Sequence, residues 1–216
     1  MPKTADTPAR KGLPGRKAQA ARNDGIILAA AREVFLADPG APIAAVAERA
    51  GVGISALYRR YASKEALLRT LCYDGLCRYN VEAEAALENS DDWQVLADFL
   101  RRVVDADVHS LTVRLAGTFT PDESFVPQVR RSGELNEEII RRARASGRLR
   151  AGVTPHDLGL ILEACAAIAL PDQARTAELR RRMLTVLIDG LTVAGELPGP
   201  PPAPNEFAQR WQPRDR

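Results

Sequence analysis

One short segment, residues 47–61, combines a small residue, a turn-forming glycine and several basic side chains. Ala47 is small enough to let two helices approach, Gly51 can adopt the positive φ of a tight turn, and Leu57 follows six residues later. This spacing is typical of a helix-turn-helix, whose second helix presents its outer face to the major groove of DNA. The residues expected on that outer face are Ile54, Ser55, Ala56, Tyr58, Arg59 and Arg60.

An ordinary pair of helices joined by a glycine turn is the alternative interpretation, because such hairpins are common in helical proteins. The charge distribution favours a nucleic-acid contact. Residues 1–62 carry ten Lys and Arg against five Asp and Glu, whereas the rest of the chain carries 20 against 23. A basic head on a mildly acidic body is expected to meet a polyanion.

Apolar residues recur at helical spacing through most of the chain, and no segment shows the alternation that is typical of strands. We therefore predict an all-α fold of about nine helices. A long helix is expected from Trp93 to Thr118, with Asp107 and Arg114 on one face, followed by an irregular or short helical crossing at 119–133. The later helices are expected at 134–146, 158–170 and 177–194, the second of them after a cap formed by Thr154, Pro155 and Asp157.

Composition divides the chain into four parts. Residues 1–16, with three prolines and scattered charge, are expected to form a disordered basic arm, and residues 17–62 a helix-turn-helix domain. A larger helical body is expected at 63–197, with Ser63 as the cap of its first helix. The tail at 198–216, where six of 19 residues are proline, is expected to be flexible.

Composition also disfavours several classes of protein. The longest apolar run, Ala164–Leu170, is too short to cross a membrane, and the amino terminus lacks the apolar stretch of a secretory signal, so we expect a cytoplasmic protein without a membrane partner. Three cysteines without Cys-x-x-Cys spacing argue against a disulfide framework or a zinc ribbon. Asp105 and His109 have i,i+4 spacing but no evident third ligand. No phosphate-binding, hydrolase or dinucleotide signature occurs, so we expect no metal, no cofactor and no enzymatic activity.

The segment from Ile43 to Leu68 resembles the amino-terminal signature of the tetracycline-repressor (TetR) family of bacterial transcription regulators, and Arg22, Ile26 and Phe35 are consistent with its first helix. The resemblance extends over about residues 17–70, and over the remainder only through length and helix count. It implies a three-helix DNA-binding domain, a larger helical domain that binds a small-molecule ligand, and a homodimer on a double-stranded DNA operator.

The resemblance also implies roles for individual residues. Tyr58 and Lys64 would contact phosphates, and the first three residues of the third helix would contact base edges. Pro42 and Gly53 depart from the family's pattern, since each replaces a hydroxyl-bearing cap, and more of the phosphate contact is then expected from Arg22 and the basic arm. The predicted DNA-binding residues are Arg22, Gly53, Ile54, Ser55, Ala56, Tyr58, Arg59, Arg60 and Lys64.

Residues of the body combine apolar bulk with a few polar groups, which is typical of small-molecule sites. The alternative is that they are simply core. Asp107 is either a buried charge that awaits a cationic ligand or one half of an ion pair with Arg114, and we favour the pair. The predicted pocket consists of Phe99, Val103, Asp107, His109, Phe119, Phe125, Leu162 and Cys165.

The last two predicted helices carry apolar stripes, which the resemblance places in a four-helix dimer interface. The alternative is that these stripes cover the core of the body itself. The arginines at 180–182 and between 130 and 150 are interpreted as solvated. The predicted interface consists of Leu158, Ile161, Leu162, Cys165, Ala169, Leu179, Met183, Val186 and Leu187.

These observations lead to one hypothesis about function and two alternatives. The first is a transcriptional repressor that binds a palindromic operator as a homodimer and is released by a small molecule. The second is a DNA-binding dimer without a ligand. The third is an all-α ligand-binding protein whose helix-turn-helix is vestigial.

Overall fold

A computed structural model describes the backbone of residues 14–203 and of positions 206 and 209, with side chains from residue 24 onward. The predicted arm up to residue 13, the side chain of Arg22 and most of the tail beyond 203 lie outside the described residues. Within those residues the fold is all-α, as predicted, and no helix there has both the length and the apolar character of a membrane span. Its elements are α1 (Pro14–Ala37), α2 (Ile43–Ala50), α3 (Ile54–Arg60), α4 (Lys64–Leu87), α5 (Asp92–Asp105), α6 (Val108–Leu115), a 3₁₀ turn (Glu123–Phe125), α7 (Val126–Ala145), α8 (Asp157–Ala166) and α9 (Gln173–Gly190).

The first three helices form a small head around the side chain of Phe35, which is fully buried together with Val46 of α2 and Leu57 of α3. The turn between α2 and α3 depends on Gly51, whose φ is 65° and whose N–H donates to the carbonyl of Ala47. This is the left-handed conformation that the sequence predicts for this glycine, and residues with a Cβ adopt it only at a cost.

Helix α4 joins the head to the body because its two halves pack into different cores. Ser63 caps the helix as predicted, accepting a hydrogen bond from the Ala66 N–H at 3.1 Å. The first half, with Leu67 and Leu71, packs with the head, α6 and the 3₁₀ turn. The second half packs on α5 and α7, and its Ala83 and Ala86 belong to a core that α8 and α9 complete.

A buried polar contact aligns α7 against the second half of α4. Asn80 is 5% exposed; its amide donates to the backbone carbonyl of Gln128 at 3.1 Å, and its side-chain oxygen accepts from the Ser132 hydroxyl at 2.7 Å. The neighbouring Tyr79 packs edge-on against Phe99, with ring centroids 5.3 Å apart, and burial raises the pKa of Tyr79. Because every partner in this buried contact is satisfied, it specifies one register between the two helices.

The single helix predicted from Trp93 to Thr118 is wrong, because the structure breaks it into α5 and α6. The break lies at Asp107, which has a φ of 49° and is the only described residue other than glycine with a positive φ. Aspartate tolerates this conformation better than most residues, but the conformation still ends a right-handed helix. Because of the break, Asp107 and Arg114 do not share one helix face, as they would in a continuous helix.

The helices after the crossing also begin at other residues than predicted. Helix α7 begins at Val126 and not at 134, because Pro127 lies in its first turn, where the missing N–H of proline costs no hydrogen bond. The predicted cap before α8 is wrong, because the N-cap position is His156, which makes no side-chain capping bond. The Thr154 amide and hydroxyl instead both donate to the Asp157 carboxylate, at 2.7 and 2.8 Å. Helix α8 begins at Asp157, one residue before the predicted start, and it ends at Ala166 instead of 170.

The first and last helices extend beyond their predicted starts. Helix α1 begins at Pro14, so residues 14–16 of the predicted disordered arm are helical, with proline in the first position that it tolerates well. Helix α9 begins at Gln173, where the side chain of Asp172 accepts a hydrogen bond from the Arg175 N–H at 3.1 Å, and it ends at Gly190. A capping aspartate ahead of the predicted start explains the difference.

Replacing Gly51 by alanine should destabilise the head. No atom lies within 4 Å of an added Cβ, so the expected loss of about 1 kcal/mol comes from the left-handed backbone alone. Gly51→Asn should lose less, because asparagine tolerates this conformation. Gly133→Ala, in open space inside α7, is the matched control and should gain up to about 1 kcal/mol. Thermal unfolding measures both, and an unchanged Tm for Gly51→Ala would contradict the assigned turn.

Candidate nucleic-acid interface

Helix α3 turns one face inward and leaves the other exposed, as the spacing predicts. Leu57 is completely buried and Tyr61, just after the helix, is 7% exposed. On the opposite side, Ile54 and Tyr58 are 40% and 48% exposed, although both are large and largely apolar. Of the other predicted contact residues on this helix and at its cap, Gly53, Ser55, Arg59 and Arg60 are exposed and Ala56 is half-buried.

The cations of this surface differ in how far they are already engaged. Arg59 makes no ion pair or hydrogen bond with the part of the chain that the structure describes. Arg60 pairs with Asp24 of α1. Lys64 donates to the carbonyls of Pro39 at 3.1 Å and Ala41 at 2.6 Å, so two of its three N–H donors tie α4 to the loop before α2. Among the described cations of this surface, Arg59 is therefore the one whose guanidinium has all of its N–H donors free for an anion.

Both amino-terminal caps of the helix-turn-helix lack a side-chain acceptor. Pro42 and Gly53 occupy the N-cap positions of α2 and α3, and neither makes a side-chain capping bond. Pro42 lies just outside the helix, since α2 begins one residue later, at Ile43. The head therefore has no hydroxyl at either cap, which agrees with the two departures from the family pattern.

A three-membered ion-pair network connects the head to the body through Asp107. Its carboxylate lies 3.1 Å from the guanidinium of Arg32 on α1 and 2.6 Å from that of Arg180 on α9. Arg32 also donates to the backbone carbonyl of Asp107. The prediction that Asp107 is paired is confirmed, but the predicted partner is wrong, because Arg114 instead donates to the carbonyl of Leu36. The strained residue thus joins three helices that are distant in sequence.

Arg180 is not the solvated residue that the sequence predicts. It is 8% exposed, and besides Asp107 it donates to the carbonyls of Ile168 at 2.9 Å and Ala166 at 3.4 Å, at the end of α8. Its neighbour Arg181 is exposed and pairs with Asp105 at 2.7 Å. Of the three consecutive arginines, Arg180 therefore links α9 to the end of α8 and to the junction of α5 and α6.

Arg142 also departs from the prediction that the arginines between 130 and 150 are solvated. Its side chain is 18% exposed and pairs with Asp92 at 2.5 Å. It also donates to the carbonyl of Leu87 at 3.0 Å, so it links α7 to the connection between α4 and α5.

The structure divides the predicted pocket residues among three places. Phe99 is fully buried in the body core, and Phe119 and Phe125 pack in the other core with the head. The remaining five do line one space, together with Arg180. That space measures about 10 Å³, about what one water molecule needs, and burial raises the pKa of the Cys165 thiol there. The five residues are Val103, Asp107, His109, Leu162 and Cys165.

The metal spacing noted in the sequence is lost at the break in the helix. Asp105 is the last residue of α5 and pairs with Arg181, while His109 lies in α6. Among the residues that the structure describes, no cluster of three or more His, Cys, Asp or Glu could hold a metal ion.

The predicted dimer residues separate by exposure. Those on α8 lie in the core of the body, 1–7% exposed, because α8 turns them toward α5 and α6. Assigning them to a subunit surface is therefore wrong for this chain, and the alternative noted from the sequence holds for them: Leu158, Ile161, Leu162 and Cys165. Ala169, Met183 and Val186 are exposed, and Leu179 and Leu187 are half-buried. Leu160 of α8, which is not among the predicted residues, is 47% exposed and lies beside residues 151–152 and 196–202.

Two functional candidates escaped the sequence analysis. Arg32 is an outward residue of α1 by helical period, and Arg180 lies in a charged run, so both patterns favour solvent. Their shared partner, Asp107, is more than 70 residues from either of them. No local spacing in the sequence predicts such a contact. The one indication was Asp107 itself, a charged residue in an apolar stretch.

Comparison with known families first gives the class of protein. A family model described as "Bacterial regulatory proteins, tetR family" matches residues 27–71, and one described as "Transcriptional regulator SbtR-like, C-terminal domain" matches residues 92–193. The first spans the helix-turn-helix and the second spans α5 to α9. The chain belongs to the TetR family of bacterial transcription regulators, which carry a helix-turn-helix DNA-binding domain.

Solved structures agree with this assignment. The TetR regulator SCO0520 of Streptomyces coelicolor is 25% identical, with a TM-score of 0.57 over 78% of this chain and 98% of its own. A TetR regulatory protein of Mycobacterium vanbaalenii is 27% identical, with a TM-score of 0.56 over 82% of this chain and 99% of its own. The regulator PfmR of Thermus thermophilus, at 20% identity and a TM-score of 0.55 over 76% and 98%, shares the fold. A search of curated proteins found no match.

Asp107→Asn should destabilise the protein by about 2 kcal/mol, because it leaves the buried Arg180 without a charged partner. The backbone should tolerate this change, since asparagine also adopts a positive φ. Asp105→Asn is the matched control: its exposed pair with Arg181 should contribute less than about 0.5 kcal/mol. Urea unfolding of the two variants measures the difference, and equal stabilities would show that the network does not hold the body together.

Proposed function

We propose that this protein is a transcriptional repressor that binds a palindromic DNA operator as a homodimer in the cytoplasm. The observation that carries the proposal is the exposed outer face of α3, which combines apolar side chains, a hydroxyl and free positive charge. In a symmetric pair, two such helices would enter successive major grooves about 34–36 Å apart.

The residues of the head divide into phosphate and base contacts. Arg59 is expected to bind phosphate first, because it gives up no partner, and Arg60 can exchange its exposed pair with Asp24 for a phosphate at little cost. Lys64 retains one donor for the backbone of DNA. Ile54 can contact a thymine methyl but cannot donate to guanine. The contact assigned to Arg22 remains part of the proposal.

The dimer is proposed to form across the exposed faces of α8 and α9. Leu160, Met183 and Val186 are 47%, 40% and 63% exposed, and Leu179 and Leu187 flank them. Large apolar side chains that are exposed on two neighbouring helices are typical of an interface between subunits. On α9 these are the residues that the sequence predicts for the interface. On α8 the predicted residues are buried, and the opposite face, with Leu160, is exposed.

We further propose that a small molecule releases the protein from DNA, and this part of the proposal has a specific alternative. A ligand would lower DNA affinity only to the extent that it favours an arrangement of the head that does not fit DNA. The second candidate, a dimer that binds DNA without a ligand, is favoured by the space of about 10 Å³ among the predicted pocket residues. A thermal-shift screen separates them: a compound that both stabilises the fold and weakens DNA binding supports release, and the absence of any such compound supports the second candidate.

Arg59→Gln should weaken binding to DNA flanking the protein's own gene by about tenfold and reduce the salt slope by about one, since one phosphate contact is lost. Tyr58→Ala should also weaken binding by tenfold or more. Fluorescence anisotropy at several salt concentrations measures both. Arg130→Gln on α7, also exposed, is the matched control and should bind like the unchanged protein. Unaltered binding by Arg59→Gln, or no sequence preference at all, would favour a vestigial helix-turn-helix.

Val186→Glu should convert the dimer into monomers, because a carboxylate would be buried opposite its own copy without a partner. Light scattering after size-exclusion chromatography measures the mass. Val129→Glu on α7, where the valine is 57% exposed, is the control and should remain dimeric. A Val186→Glu protein that stays dimeric would place the interface elsewhere.

A further inference from the structure

An open groove of about 650 Å³ runs between the head and the body. It lies beside the small space among the predicted pocket residues and shares Val104, Asp107 and Arg180 with it. Its walls come from the end of α1, the α5–α6 junction, the connection from α8 to α9 and the first turns of α9. Leu36, Val104, Leu170 and Pro171 give it an apolar side. Its volume lies within the range of small-molecule sites, which are about 300–1,000 Å³.

The arginines that line the groove outnumber the carboxylates that are free to neutralise them. Three arginines line it, Arg32, Arg114 and Arg180, and the first and last share the single carboxylate of Asp107. The groove also contains Glu33 and Asp105, but these acids are already paired with arginines outside the lining, at positions 49 and 181. Three guanidinium groups therefore face one available carboxylate, and an anion is the complementary ligand.

Two of these arginines, Arg32 and Arg114, line the groove beside the last turns of α1. Arg32 belongs to α1, and Arg114 of α6 donates to the carbonyl of Leu36, four residues after Arg32 on α1. In both arginines the hydrogen bonds within the described chain are made by one terminal nitrogen. The remaining N–H donors of each can bind a carboxylate in the paired geometry that guanidinium groups favour.

We propose that this groove binds a small amphiphilic carboxylate, with its charged end between Arg32 and Arg114 and its hydrocarbon part against Leu36, Leu170 and Pro171. The three-to-one excess of guanidinium over carboxylate selects an anion, and the apolar wall selects a hydrocarbon tail over a free inorganic ion. Binding at this site is independent of the proposed function, because it is measured without DNA.

Isothermal titration calorimetry with sodium octanoate tests the site on the full chain. Octanoate should bind saturably with a Kd of about a millimolar or tighter, and more weakly as salt is raised. The alcohol 1-octanol, which has the same tail without the charge, should bind at least about tenfold more weakly. No saturable octanoate binding, or equal binding of the alcohol, would overturn the proposal.

Variants locate the bound molecule. Arg114→Gln should weaken octanoate binding at least about tenfold, because it removes a guanidinium that no carboxylate in the described chain neutralises. Arg182→Gln, the same change at an exposed arginine of α9 outside the groove, should bind normally. Ala169→Trp, which fills the groove from an exposed position and leaves every arginine in place, should also abolish binding and covers the case in which Arg114→Gln fails to fold. Normal binding by folded Arg114→Gln or Ala169→Trp would place octanoate elsewhere and reject the site.

Discussion

One carboxylate links the head to two distant parts of the body, beside the apolar core that the head shares with α4 and α6. Asp107 lies between α5 and α6 in a left-handed backbone conformation, and its side chain reaches Arg32 of α1 and the buried Arg180 of α9 at once. A left-handed conformation costs an aspartate of the order of 1 kcal/mol, and a buried guanidinium without a partner costs several. The ion pairs offset the backbone strain, and the strain places the carboxylate where it meets both arginines.

How much the sequence could predict follows from the range of the interactions. The helix-turn-helix depends on contacts within about 20 residues, so Gly51, Leu57 and the exposed face of α3 were all correctly predicted. The break at Asp107 depends on Arg180, 73 residues away, and no helical period indicates it. Local spacing therefore specified the part that is proposed to contact DNA, and failed where the two parts of the chain are joined.

The errors in the predicted pocket and interface have a related reason. Apolar spacing identifies the buried stripe of a helix but not the element that buries it, so Leu158 and Ile161 were assigned to a partner when α5 and α6 already cover them. The exposed Leu160 was overlooked because a lone apolar residue on a polar face carries no periodic signal. Burial within one chain and burial between two chains look identical in a sequence.

The position of the charged network bears on how such a protein could respond to a ligand. A ligand enclosed in the body would first have to open a packed core, whereas the groove beside Arg32 is already open to solvent. An anion bound between Arg32 and Arg114 would share the Arg32 guanidinium with Asp107 and so weaken that ion pair, and Arg32 is the member of the network that belongs to the head. Since the other half of the network, Arg180 with Asp107, stays buried in the body, this weakening would act on the position of the head and leave the body folded. In the proposed dimer, a change in head position that weakens both DNA contacts needs only that the anion prefer the altered arrangement by a few kcal/mol.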